Sequence, residues 1–358
     1  MVNSWKYFKI NLFNAHASYI AGQSVVGTIE ICVMDRVKIN GIKLRLVGQG
    51  KVNWTEKKGN GRFETTVTYT DNENYIDYLI QMLPKQNGSD LYLEIGKYCF
   101  PFEIKLPVTL PTSFEHLEGR IRYLLCCTIE IPWSLNKTYK LPITIISLLD
   151  LNAYPRLKSS ESINNSKTIC CFCCKSKPIF ISFSLYKIGY VCGEAIVFNA
   201  SINNQSSRKI PIVLLKMNQI IKFHTRAKVK TTTREVTHIV FNKEIFPFTK
   251  ENWDNSVLSI PAVCPSSYKT SKLIEISYNL VLYIEPKWPS TSIIVKIPII
   301  IGTRPFKQTY TEEMSDLPTY QECVFGMTNS TENFYDNENN DVSFVPLYPS
   351  YPSNVNNR

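Results

Sequence analysis

No stretch of this chain is apolar for as long as a membrane crossing requires. The longest such runs, LPITIISLL at Leu141–Leu149 among them, are about half of the roughly 20 residues a spanning helix needs. The opening residues, MVNSWKYFKINLF, hold neither the apolar core of a signal peptide nor a small-residue cleavage site, so a cytosolic chain is expected. In that compartment the sequons at Asn53 and Asn136 carry no meaning, because glycosylation needs the secretory route. Histidine is scarce, with four in all (His16, His116, His224 and His238) and no metal-ligand spacing among them. His-Glu-x-x-His, Gly-x-Ser-x-Gly, the phosphate-binding loop and the dinucleotide glycine fingerprint are all missing. We therefore expect no enzyme, no metal and no cofactor, although a β-sandwich enzyme with a site assembled from distant strands would leave no such signature. Nucleic-acid modules are missing too, so positive charge alone does not argue for DNA or RNA. The eleven cysteines are odd in number and mostly scattered through apolar patterns, as at Cys32, Cys99, Cys126 and Cys192. That usage reads as reduced, buried thiols and not as a disulfide framework.

What is present is β-forming. The chain has 358 residues, with twenty Tyr, eighteen Phe and frequent Ile and Val, a mix that favours sheets. Apolar and polar residues alternate with period two. In GIKLRLVGQGKVNW (Gly41–Trp54), Ile42, Leu44 and Leu46 fall on one face and Lys43 and Arg45 on the other. KKGNGRF (Lys57–Phe63) supplies two glycines for a hairpin turn. One segment, ENYIDYLIQML (Glu73–Leu83), is expected as a helix stopped by Pro84. Many short strands punctuated by Gly, Pro and Asn point to antiparallel sandwiches. The alternation fails at Asp150–Lys177, which is polar and turn-rich and reads as a linker. It resumes from Pro178 to Gly302 and then stops. NSTENFYDNENND, in the tail, has the composition of a disordered segment. The two β-rich stretches repeat each other: YIAGQSVVGTIEI (Tyr19–Ile31) and YVCGEAIVFNASI (Tyr190–Ile202) both open Tyr-x-x-Gly-Gln/Glu, 171 residues apart, about one sandwich length. Gly22 and Gly193 would bend the chain into a strand with a Tyr packed beside the turn.

Charge is uneven. Residues 1–310 hold 39 Lys/Arg against 22 Asp/Glu, a net +17, whereas 311–358 hold one Arg and eight acids, a net −7. A basic body favours anionic membrane, phosphorylated peptide or nucleic acid, and the acidic tail is positioned to fold back and compete. KFHTRAKVK (Lys222–Lys230), read as one strand, aligns Lys222, His224, Arg226, Lys228 and Lys230 on one face. Such a ribbon has the charge to contact anionic lipid or a phosphopeptide; it also fits an ordinary solvated sheet face. CCFCC (Cys170–Cys174) has the donors for zinc, the position of a palmitoylated patch, and the character of small apolar side chains entering a strand.

These residues, taken together, resemble the α-arrestins, the arrestin-domain-containing proteins. The resemblance rests on YIAGQSVVGTI, LVGQGKVNW, the run from Tyr98 to Leu125 (YCFPFEIKLPVTLPTSFEHLEGRIRYLL), LDLNAYP at Leu149–Pro155, YKIGYVCGEAIVFNASINNQSS at Tyr186–Ser207, and IGTRP at Ile301–Pro305. It implies an all-β fold of two arrestin-like antiparallel sandwich lobes in tandem followed by a disordered tail, without a catalytic centre. The expected boundaries are 6–152 for the N-lobe, 153–177 for a linker and Cys-rich segment, 178–305 for the C-lobe and 306–358 for the tail. It also implies a trafficking adaptor that binds membrane-protein cargo, cytoplasmic and peripheral to plasma membrane and endosomes.

The family's tails carry Pro-Pro-x-Tyr motifs that dock in WW domains. Pro lies in an aromatic groove at little entropic cost because it is already extended and has no N–H to satisfy. Tyr two residues on fills the next pocket. Here Leu317-Pro318-x-Tyr320 and Val345-Pro346-x-Tyr348 follow the spacing, with an aliphatic residue in place of the first Pro, which sacrifices stiffness and weakens each site. Tyr351, in the Pro-rich stretch that follows, is an alternative anchor. The two tyrosines are 28 residues apart, a flexible span of about 30 Å, so two modules of one WW-domain HECT-type ubiquitin ligase can bind together with added avidity. The competing reading is a retromer-type arrestin-like coat or scaffold subunit that recruits no ligase.

Overall fold

The structure is a computed structural model and describes residues 4–59, 64–84, 90–171, 174–267, 270–287, 291–307, 319–322 and 344–352. The N-lobe comprises β1 (Trp5–Leu12), β2 (Ser18–Ile20), β3 (Ser24–Val33), β4 (Val37–Ile39), β5 (Gly41–Lys58), β6 (Thr65–Leu83), β7 (Leu91–Leu93), β8 (Gly96–Lys105), β9 (Phe114–His116), β10 (Gly119–Glu130) and β11 (Lys137–Ile146). The C-lobe comprises β12 (Glu161–Cys171), β13 (Cys174–Leu185), β14 (Gly189–Val191), β15 (Ala195–Asn204), β16 (Ile212–His224), β17 (Val229–Val240), β18 (Thr249–Ser259), β19 (Ile274–Glu285) and β20 (Ile293–Gly302). Two further strands, β21 (Thr319–Glu322) and β22 (Leu347–Ser350), come from the tail.

Each lobe is a sandwich, and the two share a common strand order, to which the C-lobe adds β12 at one edge. In the N-lobe a sheet ordered β1-β3-β8 faces one ordered β2-β11-β10-β5-β6; in the C-lobe β12-β13-β15-β18 faces β14-β20-β19-β16-β17. The 171-residue repeat in the sequence is therefore a structural duplication. In both copies the strand before the Tyr-x-x-Gly turn is short and pairs in parallel, β2 with β11 and β14 with β20. Gly22 and Gly193 adopt φ of +94° and +85°, a region that costs a side-chain-bearing residue strain. Tyr19 and Tyr190 are buried beside them. Alternation places the core as expected: Ile42, Leu44 and Leu46 are fully buried while Arg45 is exposed.

Three expectations need correction. Residues 73–83 are not a helix but the second half of β6, which pairs along the whole of β5 from Lys58↔Thr65 to Ile42↔Leu83. A long partner already committed to extended geometry offers ladder bonds at alternate residues along the whole segment, and this tertiary pairing overrides local propensity. The supposed linker holds two single 3-10 turns, Leu151–Ala153 and Pro155–Lys158. It then becomes β12, paired with β13 from Glu161↔Leu185 to Cys171↔Cys174. An outermost strand packs against one neighbour only and tolerates a polar sequence such as SINNSK. Cys170, Cys171 and Cys174 thus fall at the end of this hairpin; residues 172 and 173 lie outside the described residues. Third, part of the tail is ordered strand on the body: β21 and β22 form an antiparallel ribbon with Tyr320↔Pro349 and Gln321↔Tyr348 in register.

Candidate functional site at the lobe junction

Among the described residues the lobes meet along three sets of contacts, and each uses a segment the sequence made conspicuous. The first joins the Asp-Leu-Asn segment to the end of β20. Leu149 N–H donates to Thr303 Oγ1 (2.8 Å) and Thr303 N–H donates to Leu149 O (2.9 Å). Asp150 pairs with Arg304 (3.3 Å). Asn152 Nδ2 donates both to Asp150 Oδ1 and to Pro305 O, each at 2.8 Å, and Asn152 Oδ1 accepts from Lys307 N–H (2.9 Å). The two motifs at Leu149–Pro155 and Ile301–Pro305 are halves of one polar clip. Burial raises the Asp150 carboxyl, but bonds from Asn152 and Arg304 outweigh it and hold the group below its ordinary value.

The second set involves the basic segment. KFHTRAKVK is not one strand: β16 ends at His224, Thr225 and Lys228 close a turn (Thr225 N–H to Lys228 O, 2.9 Å), and β17 begins at Val229. Residues directly opposite in an antiparallel ladder share a face, and Lys230 lies opposite Phe223. Lys230 therefore sits with buried Phe223, away from Lys222 and His224. Lys222 and His224 face Glu275 of the same lobe (3.0 and 3.6 Å). Lys230 reaches Glu118 of the N-lobe at 2.8 Å, Lys228 pairs with Glu56, and Arg226 lies 4.0 Å from Asp71. The single-strand ribbon is therefore not formed: the five side chains do not share one face, and each has an acidic neighbour in the chain itself. Around them, the His116 ring packs tilted against Phe223 (ring centroids 5.2 Å apart), Tyr75 OH meets Ser271 Oγ at 2.8 Å, and Lys272 N–H donates to Glu73 (3.0 Å). Gly119 is the close-approach point: a Cβ there would lie 3.0 Å from Phe223 and 2.9 Å from Val52. Burial lowers the His116 imidazole below its ordinary value, with Arg234 and Lys230 adding to that and Glu118 opposing it.

The third set is the tail. Leu347 N–H donates to Thr144 Oγ1 (3.2 Å) and Ser18 Oγ donates to Leu347 O (3.3 Å). Tyr348 is 1% exposed, and its hydroxyl donates to Ser113 O at 2.7 Å. Tyr351 N–H donates to Cys192 O (2.9 Å) and its hydroxyl to Thr303 O (2.9 Å). Tyr320 is half-buried, 5.7 Å from the His16 ring, and its hydroxyl is pushed above its ordinary value by burial. Of the proposed WW-binding residues, Val345 is half-buried and Pro346 buried, whereas Leu317 and Pro318 lie outside the described residues. The structure thus brings Tyr320, Pro346 and Tyr348 together on the body. Of the receiving residues, Ser113, Cys192 and Thr303 lie in stretches that carried the family resemblance and Ser18 and Thr144 lie outside them, but none was distinguishable as a docking residue; Gly193 stood out only as a turn residue.

Two sandwiches of duplicated topology, clipped through a short polar connection, define the arrestin class of protein. Comparison with known families agrees: residues 8–152 match the family model described as arrestin (or S-antigen), N-terminal domain, and residues 175–306 match its C-terminal domain. The chain belongs to the arrestin-domain-containing proteins. It is similar to arrestin domain-containing protein 17 of Caenorhabditis elegans, 26% identical over 307 residues covering 83% of this chain and 70% of that protein. It is also similar to arrestin domain-containing protein 4 of Mus musculus (26% over 299 residues, 80% and 69%) and arrestin domain-containing protein 1 of Homo sapiens (25% over 298 residues, 82% and 64%). No helix among the described residues is long and apolar enough to cross a membrane, and none of their His, Cys, Asp and Glu side chains cluster as a metal site.

Proposed function

We propose that this chain is a non-enzymatic trafficking adaptor. Its lobes hold the cytoplasmic segment of a membrane protein at plasma membrane and endosomes, and its tail recruits a WW-domain HECT-type ubiquitin ligase that marks the cargo or the adaptor for sorting. The observation that carries this reading is the pairing of an arrestin body with two Pro-x-Tyr copies on one tail, Pro318/Tyr320 and Pro346/Tyr348. Each Pro presents an extended backbone to an aromatic groove and each Tyr fills the adjoining pocket. Immobilised tandem WW domains of such a ligase should capture the full chain, and Tyr320→Ala/Tyr348→Ala should reduce capture at least about tenfold, since two linked sites lose their avidity together. Equal capture of both forms, or none of either, would remove the ligase from the account. A second reading, a coat or scaffold subunit without ligase contact, is favoured by the burial of Tyr348; in that reading the tail only braces the body, and no WW domain captures the chain.

A further inference from the structure

We propose that the groove at the lobe junction is a binding site for the chain's own Leu347–Tyr351 segment, and that this groove and a WW domain compete for the same tyrosines. The competition rests on the ligase reading above; the docking does not.

Three observations carry it. The segment is bonded to both lobes, to Ser18, Ser113 and Thr144 on one and to Cys192 and Thr303 on the other. It therefore reads their relative placement and is not a strand lying loosely on one of them. Tyr348 is enclosed on all sides with its hydroxyl committed to Ser113 O; a WW pocket must enclose the same ring, so the two cannot hold it together. Tyr351, the alternative anchor, is also committed through its hydroxyl. Third, the receiving surface is cut to fit. A Cβ at Gly193 would lie 1.8 Å from Tyr351 O, whereas at Gly22, its counterpart in the N-lobe, the nearest atom is the end of Val108 at 3.0 Å. Turn geometry explains a glycine at both positions, but only Gly193 has peptide backbone lying against it.

The geometry also orders release. Tyr320 is the less buried anchor, and it stands in register with Pro349 in the ribbon. A WW domain that takes Tyr320 removes the strand that supports β22 and leaves Tyr348 held by the body alone. A second WW module then meets a weakened contact. If the segment is docked about nine-tenths of the time, the apparent affinity for WW domains falls about tenfold, because only the undocked fraction binds.

The test uses the full chain, a synthetic peptide of residues 340–358, and a two-WW-domain fragment of a HECT-type ligase. Amide hydrogen exchange should show Leu347 and Tyr351 protected about tenfold or more relative to the peptide. The WW fragment should bind the peptide about tenfold more tightly than it binds the chain's second motif, read with Tyr320→Ala in place. Gly193→Ala should abolish protection and close that gap. Ser18→Ala/Thr144→Val, which removes two bonds without touching a strained backbone position, should do the same more mildly and stands in if Gly193→Ala fails to fold. Free-peptide exchange rates in the full chain would overturn the docking. Equal affinities for peptide and chain, with protection surviving saturation by the WW fragment, would overturn the competition. If peptide and chain both ignore WW domains, the ligase reading and the competition fail together, while protection that Gly193→Ala removes still establishes the groove as the tail's site.

Discussion

Tyr123 and Tyr278 occupy matching places in β10 and β19, and each sends its buried hydroxyl to a backbone carbonyl of the segment that precedes its strand, Pro111 O at 2.7 Å and Cys264 O. Two residues further on, Ser113 and Ser266 each accept from the last strand of their lobe, from Ile145 and Ile301 N–H, both at 2.9 Å. Each tyrosine thus pins a loop that in turn pins β11 or β20. Burial raises the Tyr123 hydroxyl well above its ordinary value, so it remains a donor throughout the accessible pH range. Tyr123→Phe strips a partner from a carbonyl in a site closed to water, and the expected loss is about 1–3 kcal/mol. It should appear as a lower urea midpoint with unchanged slope. Tyr348→Phe removes a bond of the same kind from the same loop, yet the tail can leave where β10 cannot. Its effect on the urea midpoint should be much smaller, with faster exchange of the Tyr351 amide instead.

At the scale of elements, what the sequence made legible was whatever period two controls. The faces of β5, the matched turns at Gly22 and Gly193, and the two-sandwich plan all follow from alternation and repeat. In residues 73–83, Tyr75, Ile76, Leu79 and Ile80 recur at near-helical spacing, and only the presence of β5 alongside makes the segment a strand. The basic segment hides its turn for a related reason. Its alternation is regular, but the turn at 225–228 contains no Gly or Pro, and the reversal is fixed by Thr225 bonding across to Lys228. What sits opposite those cations, Glu56, Glu118 and Asp71, is more than a hundred residues away in the chain, and no local pattern could place it. The hairpin is a bridge between lobes, and this is testable by charge. Lys230 and Glu118 are both largely shielded from solvent, so Lys230→Glu should weaken the junction by about 1 kcal/mol or more. Glu118→Lys in the same chain should recover part of the loss, a coupling that a double-mutant cycle on unfolding midpoints reads directly.

For the whole molecule, the junction is where pH acts. The His116 imidazole has its pKa lowered from 6.5 first by burial and then by Arg234 and Lys230, against the pull of Glu118. A lowered pKa means that the separated or unfolded chain binds more protons than the joined one through the affected window, so stability rises with pH there. The contribution is complete above about 6.5 and is lost as pH falls toward the folded value. Glu118 adds a second step of the same sign. Burial raises it, but the Lys230 bond and His116 outweigh burial and hold it below 4.5, so its contribution is present above that value and lost beneath it. The lobes should therefore part more readily in acid, in two stages. The amide of Lys272, bonded across the junction to Glu73, is the local reporter: after correction for the intrinsic pH dependence of exchange, its protection should fall between pH 7.5 and 5.5 and again below 4.5. His116→Gln keeps a ring-sized polar group without a titrating one, so it should flatten the upper stage and leave the lower. A profile flat from 7.5 to 5.5 in the unmodified chain would mean that His116 is equally neutral whether the lobes are joined or apart, and that the junction is held by packing around Phe223 and Gly119 with no contribution from this charge.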